Sequence, residues 1–292
     1  MKVRSLALTS DTAASAEPPA TTDIRNAQAA WVRRRRGDAI LRAALGFGLP
    51  VLLIALWEIG SRTGLIDPQF FPSPSSVVQE AWAAAFEHNL VQDVGAALAA
   101  TLVRLGWGFA LGAVAGLVVG LAMGTSRIAR FSLAPLVSAT YPMPKVALLP
   151  LLLVLLGIGE ASKVALVALG VFFMVALNTL SGVMFTSPLY RDVSRAFAFP
   201  RRLYYRYVVI PAAMPSIING IKLGIGQGLI LVVSVEFISS NDGLGYFVWN
   251  SWQILNIPRM FVGLAVVLAL GAAAAWLGNV LERTLVPWAN TR

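Results

Sequence analysis

Residues 186–215 read TSPLYRDVSRAFAFPRRLYYRYVVIPAAMP, and the reading of this stretch decides how the rest of the chain is arranged. Five arginines (Arg191, Arg195, Arg201, Arg202 and Arg206) and two closing prolines, Pro211 and Pro215, interrupt a sequence that is oily on both sides. Short basic loops between apolar spans stay on the cytoplasmic face of a membrane. The stretch is therefore a cytoplasmic loop, and it is longer than a connection alone requires. Pro200 suits a first helical turn, where a missing N–H costs nothing. The loop accordingly reads as two short helices, one ending before Phe199 and one over residues 201–209, bent at Pro200. Val193, Phe197, Leu203 and Val208 offer apolar contacts beside the arginines. An amphipathic helix lying on the inner leaflet would also explain the charge. It would not explain a proline-bounded bend joined to the next span.

The flanks fix the class. The chain has 292 residues, of which 57% are hydrophobic and 13% charged, with a mean hydropathy of +0.72. A soluble domain carries about a quarter charged residues. Several apolar stretches approach the roughly 20 residues that cross hydrocarbon as a helix, and the alternation of a membrane β-barrel is absent. The fold class is an all-α polytopic membrane protein with six spans at about 39–60, 101–123, 133–156, 162–183, 216–237 and 260–281. Both termini then face the cytoplasm. Residues 1–38 form a tail rich in Ala, Thr, Ser and Pro, expected to be disordered, and residues 39–292 form the transmembrane domain. The run Arg33, Arg34, Arg35 and Arg36 holds the tail in the cytoplasm in preference to marking a specific lipid site. The formal charge of +9 follows from arginines at helix ends, so no nucleic-acid partner is expected. There is no cysteine, and the one histidine, His88, has no second imidazole with which to hold a metal.

Inside the spans four features stand out. Gly108, Gly112, Gly116, Gly120 and Gly124 recur every four residues, which places neighbours about 40° apart around a helix. Such a stripe lets another backbone approach closely; packing within the subunit is the leading reading, and a face that slides during conformational change is the alternative. The third span opens on Tyr141-Pro142-Met143-Pro144-Lys145. Its prolines break the helical ladder, which a membrane tolerates only where the backbone is covered by protein or lines a wet cavity. Lys145 then either meets an anionic solute in a pathway or snorkels to the inner headgroups. Asn178, Ser234 and Glu236 complete the candidate pathway group, Glu236 because a carboxylate near the outer end of an apolar run needs water or a partner. The sequence GIGEASK over residues 157–163 lacks the order of a phosphate loop and reads as a tight outer turn. No Walker-type site occurs elsewhere, so ATP hydrolysis is not expected in this chain.

The central loop resembles the EAA loop of ABC-transporter inner-membrane permeases. That pattern is Glu-Ala-Ala, a glycine after three residues, and Ile-x-Leu-Pro after nine more. Aligned on Pro211, the glutamate falls on Asp192, the alanines on Val193 and Ser194, and the glycine on Ala198. The apolar end reads Val208-Val209-Ile210-Pro211, so the acid is kept while the glycine and both alanines are replaced. Three further segments resemble the nitrate/sulfonate/taurine branch: FPSPSSV at 71–77, PMPKVALLPL at 142–151 and SNDGLGY at 240–246. The resemblance covers residues 43–283. It implies a type I importer permease working as a homodimer, with two ATP-binding-cassette ATPase subunits beneath and a solute-binding protein above, in a bacterial inner membrane. ATP and Mg would be bound by the ATPase, with no cofactor in this chain. By the same resemblance the loop is a coupling helix seated in a groove of the ATPase, its contacts carried by Asp192, Ala196, Ala198, Pro200, Arg201 and Arg202. The replaced glycine bears on how closely that turn approaches its partner. The carried solute stays open among aliphatic sulfonates, taurine, nitrate and small pyrimidine or thiamine precursors, the anions fitting Lys145 best. Two rival classes lack their chemistry. A gradient-driven secondary transporter would show paired intramembrane acids or an internal repeat, and a membrane enzyme would show clustered His, Asp or Glu.

Overall fold

A computed structural model describes residues 41, 44–87, 90–186 and 188–289. The expected tail, residues 1–38, lies outside them. Two units are distinguished, and the first contains one described helix, α1 (Ala44–Arg62), long and apolar enough to cross a membrane. A Glu58–Arg62 ion pair one turn apart closes its end.

The second unit begins with α2 (Pro74–Glu87) and the long α3 (Leu90–Thr125). Then come α4 (Arg127–Thr140), a tight turn at Lys145–Leu148 and α5 (Leu149–Leu156). Helix α6 (Glu160–Met184) leads into the loop helices α7 (Pro188–Ala196) and α8 (Arg201–Tyr204). A wide π-turn at Tyr205–Val209 runs without a break into α9 (Ile210–Ser239), and α10 (Leu244–Gln253) and α11 (Ile257–Leu285) complete the unit. Helices α3, α6, α9 and α11 overrun the expected spans 101–123, 162–183, 216–237 and 260–281 at both ends.

The core is a close-packed layer of α3, α6 and α9. A Cβ added at Gly108, Gly112, Gly116, Gly120 or Gly124 would lie 2.3–2.7 Å from atoms of α6. Opposite those glycines stand Val167, Val171, Val175, Thr179 and Val183, also four residues apart. The stiff β-branched side chains of α6 thus fill the groove that the glycines of α3 leave open. Helix α9 repeats the device toward α6 with Gly220, Gly224 and Gly228, against Asn178, Val175 and Val171.

This register also settles the bent pair. Gly108 meets Val167 and Gly124 meets Val183, so α3 and α6 run parallel. The connection between them must cross back, and it does so through α4 and α5, which are bent by 99°. The expected third span over 133–156 is therefore a broken crossing, not one helix, with the break at the loop holding Pro142 and Pro144. Five helices among the described residues are long and apolar enough to cross, six if the bent pair is counted.

Candidate functional site

Two polar regions sit at opposite ends of this layer. One is the loop segment, where α3 and α6 end and α9 begins. After α7 the chain turns through residues 197–200: Phe197 N–H donates to Val193 O at 3.1 Å and Phe199 N–H to Ser194 O at 2.9 Å. Ala198 is forced to φ +48°, left-handed backbone that favours glycine. Alanine thus occupies a position with positive φ at a cost in strain. Pro200 then starts α8, its carbonyl accepting from the N–H groups of Leu203 and Tyr204. Asp192, Ala196, Ala198, Pro200 and Arg202 are exposed; Pro211 directly follows the wide π-turn inside the continuous helix, where it has no N–H to give to the turn before it. Arg201 opens α8. Beside these residues, Leu189, Tyr190, Val193, Phe197, Phe199 and Leu203 are also exposed, Phe197 by 76%.

At the far end is an ion cluster that sequence reasoning did not single out, with Arg104, Lys163 and Glu236 buried and the side chains of Glu160 and Asp242 exposed at its rim. Arg104 of α3 is 2% exposed, and all five of its N–H groups are spent. Nε and Nη2 donate to Glu160 at 2.6 and 2.8 Å, and Nη1 donates to Glu236 at 2.9 Å and to the Asp242 carbonyl at 3.2 Å. Nη2 also pairs with the Asp242 carboxylate. Glu236 is fully buried. Its oxygens accept from Thr101 Oγ1 at 2.9 and 3.0 Å and from the Gly245 N–H at 2.9 Å. Thr101 Oγ1 in turn accepts from the Leu244 N–H at 2.8 Å. The SNDGLGY segment is wrapped on this carboxylate: a Cβ at Gly243, φ +97°, would lie 2.3 Å from it. Lys163 Nζ joins through Glu160 at 2.9 Å and Ser240 at 3.0 Å. Burial pushes the Asp242 carboxyl up, but hydrogen bonds from Arg104 and Ser240 outweigh it and hold the group below its ordinary range. A buried charge left unpaired is expensive, and here the opposite charges satisfy one another across four chain segments.

The candidate pathway residues are not brought together; among the described residues no hydrogen bond joins any two of them. The Glu236 carboxylate is enclosed by Thr101, Arg104 and Gly245, and through these partners it ties α3, α9 and α10 together. Lys145 sits at the break between α4 and α5, donates to the Tyr141 carbonyl and lies 4.8 Å over the Tyr141 ring and 5.2 Å over that of Phe173. Asn178 donates to Met174 O at 2.8 Å and accepts from Asn219 of α9 at 3.1 Å. Ser234 donates to Ile230 O in its own helix at 2.7 Å. The expected outer turn at 157–163 gives two of its residues, Glu160 and Lys163, to the ion cluster. The signal that could have found the cluster was Arg104 itself, a lone cation inside an apolar span that had to be matched by acids elsewhere.

A family model described as a binding-protein-dependent transport system inner membrane component matches residues 108–286. The taurine transport system permease protein TauC of Escherichia coli is 31% identical over 249 residues, covering 85% of this chain and 90% of that protein. The nitrate import permease protein NrtB of a Synechocystis species is 27% identical over 256 residues, covering 85% and 90%. Among solved structures, the inward-facing MetNI methionine ABC transporter aligns with a TM-score of 0.54 and 20% identity, over 67% of this chain and 95% of that one. That last likeness is one of fold.

Proposed function

This chain belongs to the binding-protein-dependent transport system inner membrane components, multi-pass ABC-importer permeases of the inner membrane, and from that premise we propose how it couples and what it carries. The segment 186–215 docks in a groove of a separate ATPase chain, which binds ATP and Mg and hydrolyses the nucleotide. Two copies of the permease stand over two ATPase subunits, and a solute-binding protein delivers the solute at the opposite face. The loop end, and with it both termini, is cytoplasmic.

The observation that carries this reading is the surface of the segment. Six large apolar side chains, from Leu189 to Leu203, stand exposed among arginines on a loop outside the spans. Contiguous exposed apolar groups with a polar rim mark a binding face. A gradient-driven transporter would instead hold free acids in its pathway; here Glu236 and Asp242 are committed to Arg104 and Glu282 to Lys222. The double variant Arg201→Glu with Arg202→Glu is expected to insert normally yet lose receptor-stimulated ATPase activity and uptake together. Full retention of both in the purified complex would overturn the docking assignment.

For the cargo we favour a small anion such as a sulfonate, taurine or nitrate. Support comes from relatives named for taurine and nitrate and from the Lys145 cation at the broken crossing. Asn178 and Ser234 are the neutral pathway contacts in this reading. Lys145→Gln is expected to raise KM for uptake with the ATPase rate kept; identical uptake kinetics would reduce Lys145 to a structural residue.

A further inference from the structure

Behind the loop segment lies a cavity of about 970 Å³, reached from the ends of α3, α4 and α6 and from the bend after α7. That is the size of a site for a sizeable ligand. Its lining includes Thr125, Arg127, Arg130, Ser194, Tyr204 and Tyr205, and no described aspartate or glutamate. The two arginines differ in their commitments. Arg130 donates to Met123 O at 3.0 Å and to Gly124 O at 2.7 Å, which caps the carbonyl end of α3. Arg127 meets no acceptor among the described residues, so its fork of donors is open.

The surroundings of Arg127 are apolar. Phe131 follows it by one turn on the same face of α4 and is 76% exposed, next to Ile128 at 81%; Phe185, between the lining residues Val183 and Thr186, is 85% exposed. A free guanidinium beside bare aromatic and aliphatic groups suits an amphiphile with a phosphate head and hydrocarbon tails. Arginine matches phosphate oxygens two at a time. A soluble oxyanion would use the cation and leave the apolar rim uncovered.

We infer that this cavity binds the headgroup of an anionic phospholipid of the adjoining leaflet, with Arg127 on the phosphate and the acyl chains along Phe131 and Ile128. Because Ser194, Ala198 and Phe199 form its opposite wall, the lipid is a wedge between the span ends and the coupling bend. Bound lipid therefore supports the docked position of the segment. The inference rests on the reading that puts this end in the cytoplasm.

The test uses the full transporter purified in mild detergent, with native mass spectrometry counting retained phosphatidylglycerol. Wild type and Arg127→Lys should keep it, and Arg127→Gln should retain several-fold less. In nanodiscs, receptor-stimulated ATPase activity of the wild type should be higher in equal parts phosphatidylcholine and phosphatidylglycerol than in phosphatidylcholine alone, and Arg127→Gln should abolish that difference. Equal lipid retention in Arg127→Gln overturns the site. Displacement of phosphatidylglycerol by millimolar inorganic phosphate overturns the lipid in favour of a soluble oxyanion. Topology is checked separately: the chain has no cysteine, so an Ile128→Cys variant labelled by an impermeant maleimide from outside intact cells would sink the orientation, not the cavity.

Discussion

The two polar regions of this permease are built on opposite principles. At the far end, charges are matched around a buried pair: Arg104 has an acceptor for every N–H, and Glu236 is enclosed by donors from α3 and from the first turn of α10. At the loop end, apolar groups are exposed, Arg127 lacks an acceptor among the described residues, and Ala198 holds a left-handed backbone. A region whose groups satisfy one another is a closed part of the fold. A region that leaves apolar surface bare and backbone strained is completed by something outside the chain. The first behaves as a rigid clamp on the spans, and the second is the surface for which we propose ATPase docking.

Breaking the clamp has the largest expected effect. Arg104→Met leaves Glu236 buried without its cation, and removing one partner of a buried pair costs about 3–5 kcal/mol. Thermal unfolding in detergent and the yield of folded protein report it. Arg104→Met combined with Glu236→Gln should cost less than the two single changes added, because the neutral amide no longer needs a counter-charge. Additive losses would show that the two residues act separately. Arg202→Ala at the loop end supplies the contrast, with a stability change within about 0.5 kcal/mol.

The next effect tests the layer between the two regions. In Gly112→Ala the new Cβ would sit 2.3 Å from the Ala168 carbonyl oxygen, backbone that cannot yield, and overpacking of this kind costs about 1–3 kcal/mol. Gly106→Ala on the same helix meets nothing within 4 Å, so it should be neutral or stabilising by up to about 1 kcal/mol, the difference in helix propensity. Equal shifts in melting temperature for the two variants would mean that the glycine stripe does not set the α3–α6 distance.

Much of this was legible in the sequence, for identifiable reasons. Spans show in hydropathy, the glycine stripe in its period, and the loop in its arginines and prolines, because each is a local pattern. The partner stripe of α6 was not legible: Val167, Val171, Val175 and Val183 lie in a helix that is apolar all round, so no periodicity separates the face toward α3 from the others. The sharp break after α4 was half legible, since Pro142 and Pro144 marked where the ladder fails but not the angle. The ion cluster was hidden by distance along the chain. Arg104 and Glu236 are 132 residues apart, and Glu236 read alone resembles a pathway carboxylate. The open side of the comparison, the exposed and strained loop, is the part most directly marked in the sequence, because its arginines and prolines lie in one contiguous segment.

The smallest effect sharpens the loop end. Alanine in left-handed backbone carries about 1–2 kcal/mol of steric strain. Glycine at the same place removes that strain but adds about 0.5–1 kcal/mol of conformational entropy to the unfolded chain. Ala198→Gly should therefore stabilise the protein by roughly 0.5–1 kcal/mol, a small rise in melting temperature in detergent. The decisive comparison is with function. If the strain at Ala198 is only a local fault, the variant will be more stable and just as well coupled. If the strained turn fixes the angle at which α7 meets the ATPase, the extra freedom of glycine will raise basal ATPase activity relative to uptake while stability improves. We expect the second result, since Ala198 lies exposed at the tip of the bend, beside Phe197 and Phe199. A variant that melts at a lower temperature than wild type would show that Ala198 does not occupy the left-handed conformation on which the comparison depends.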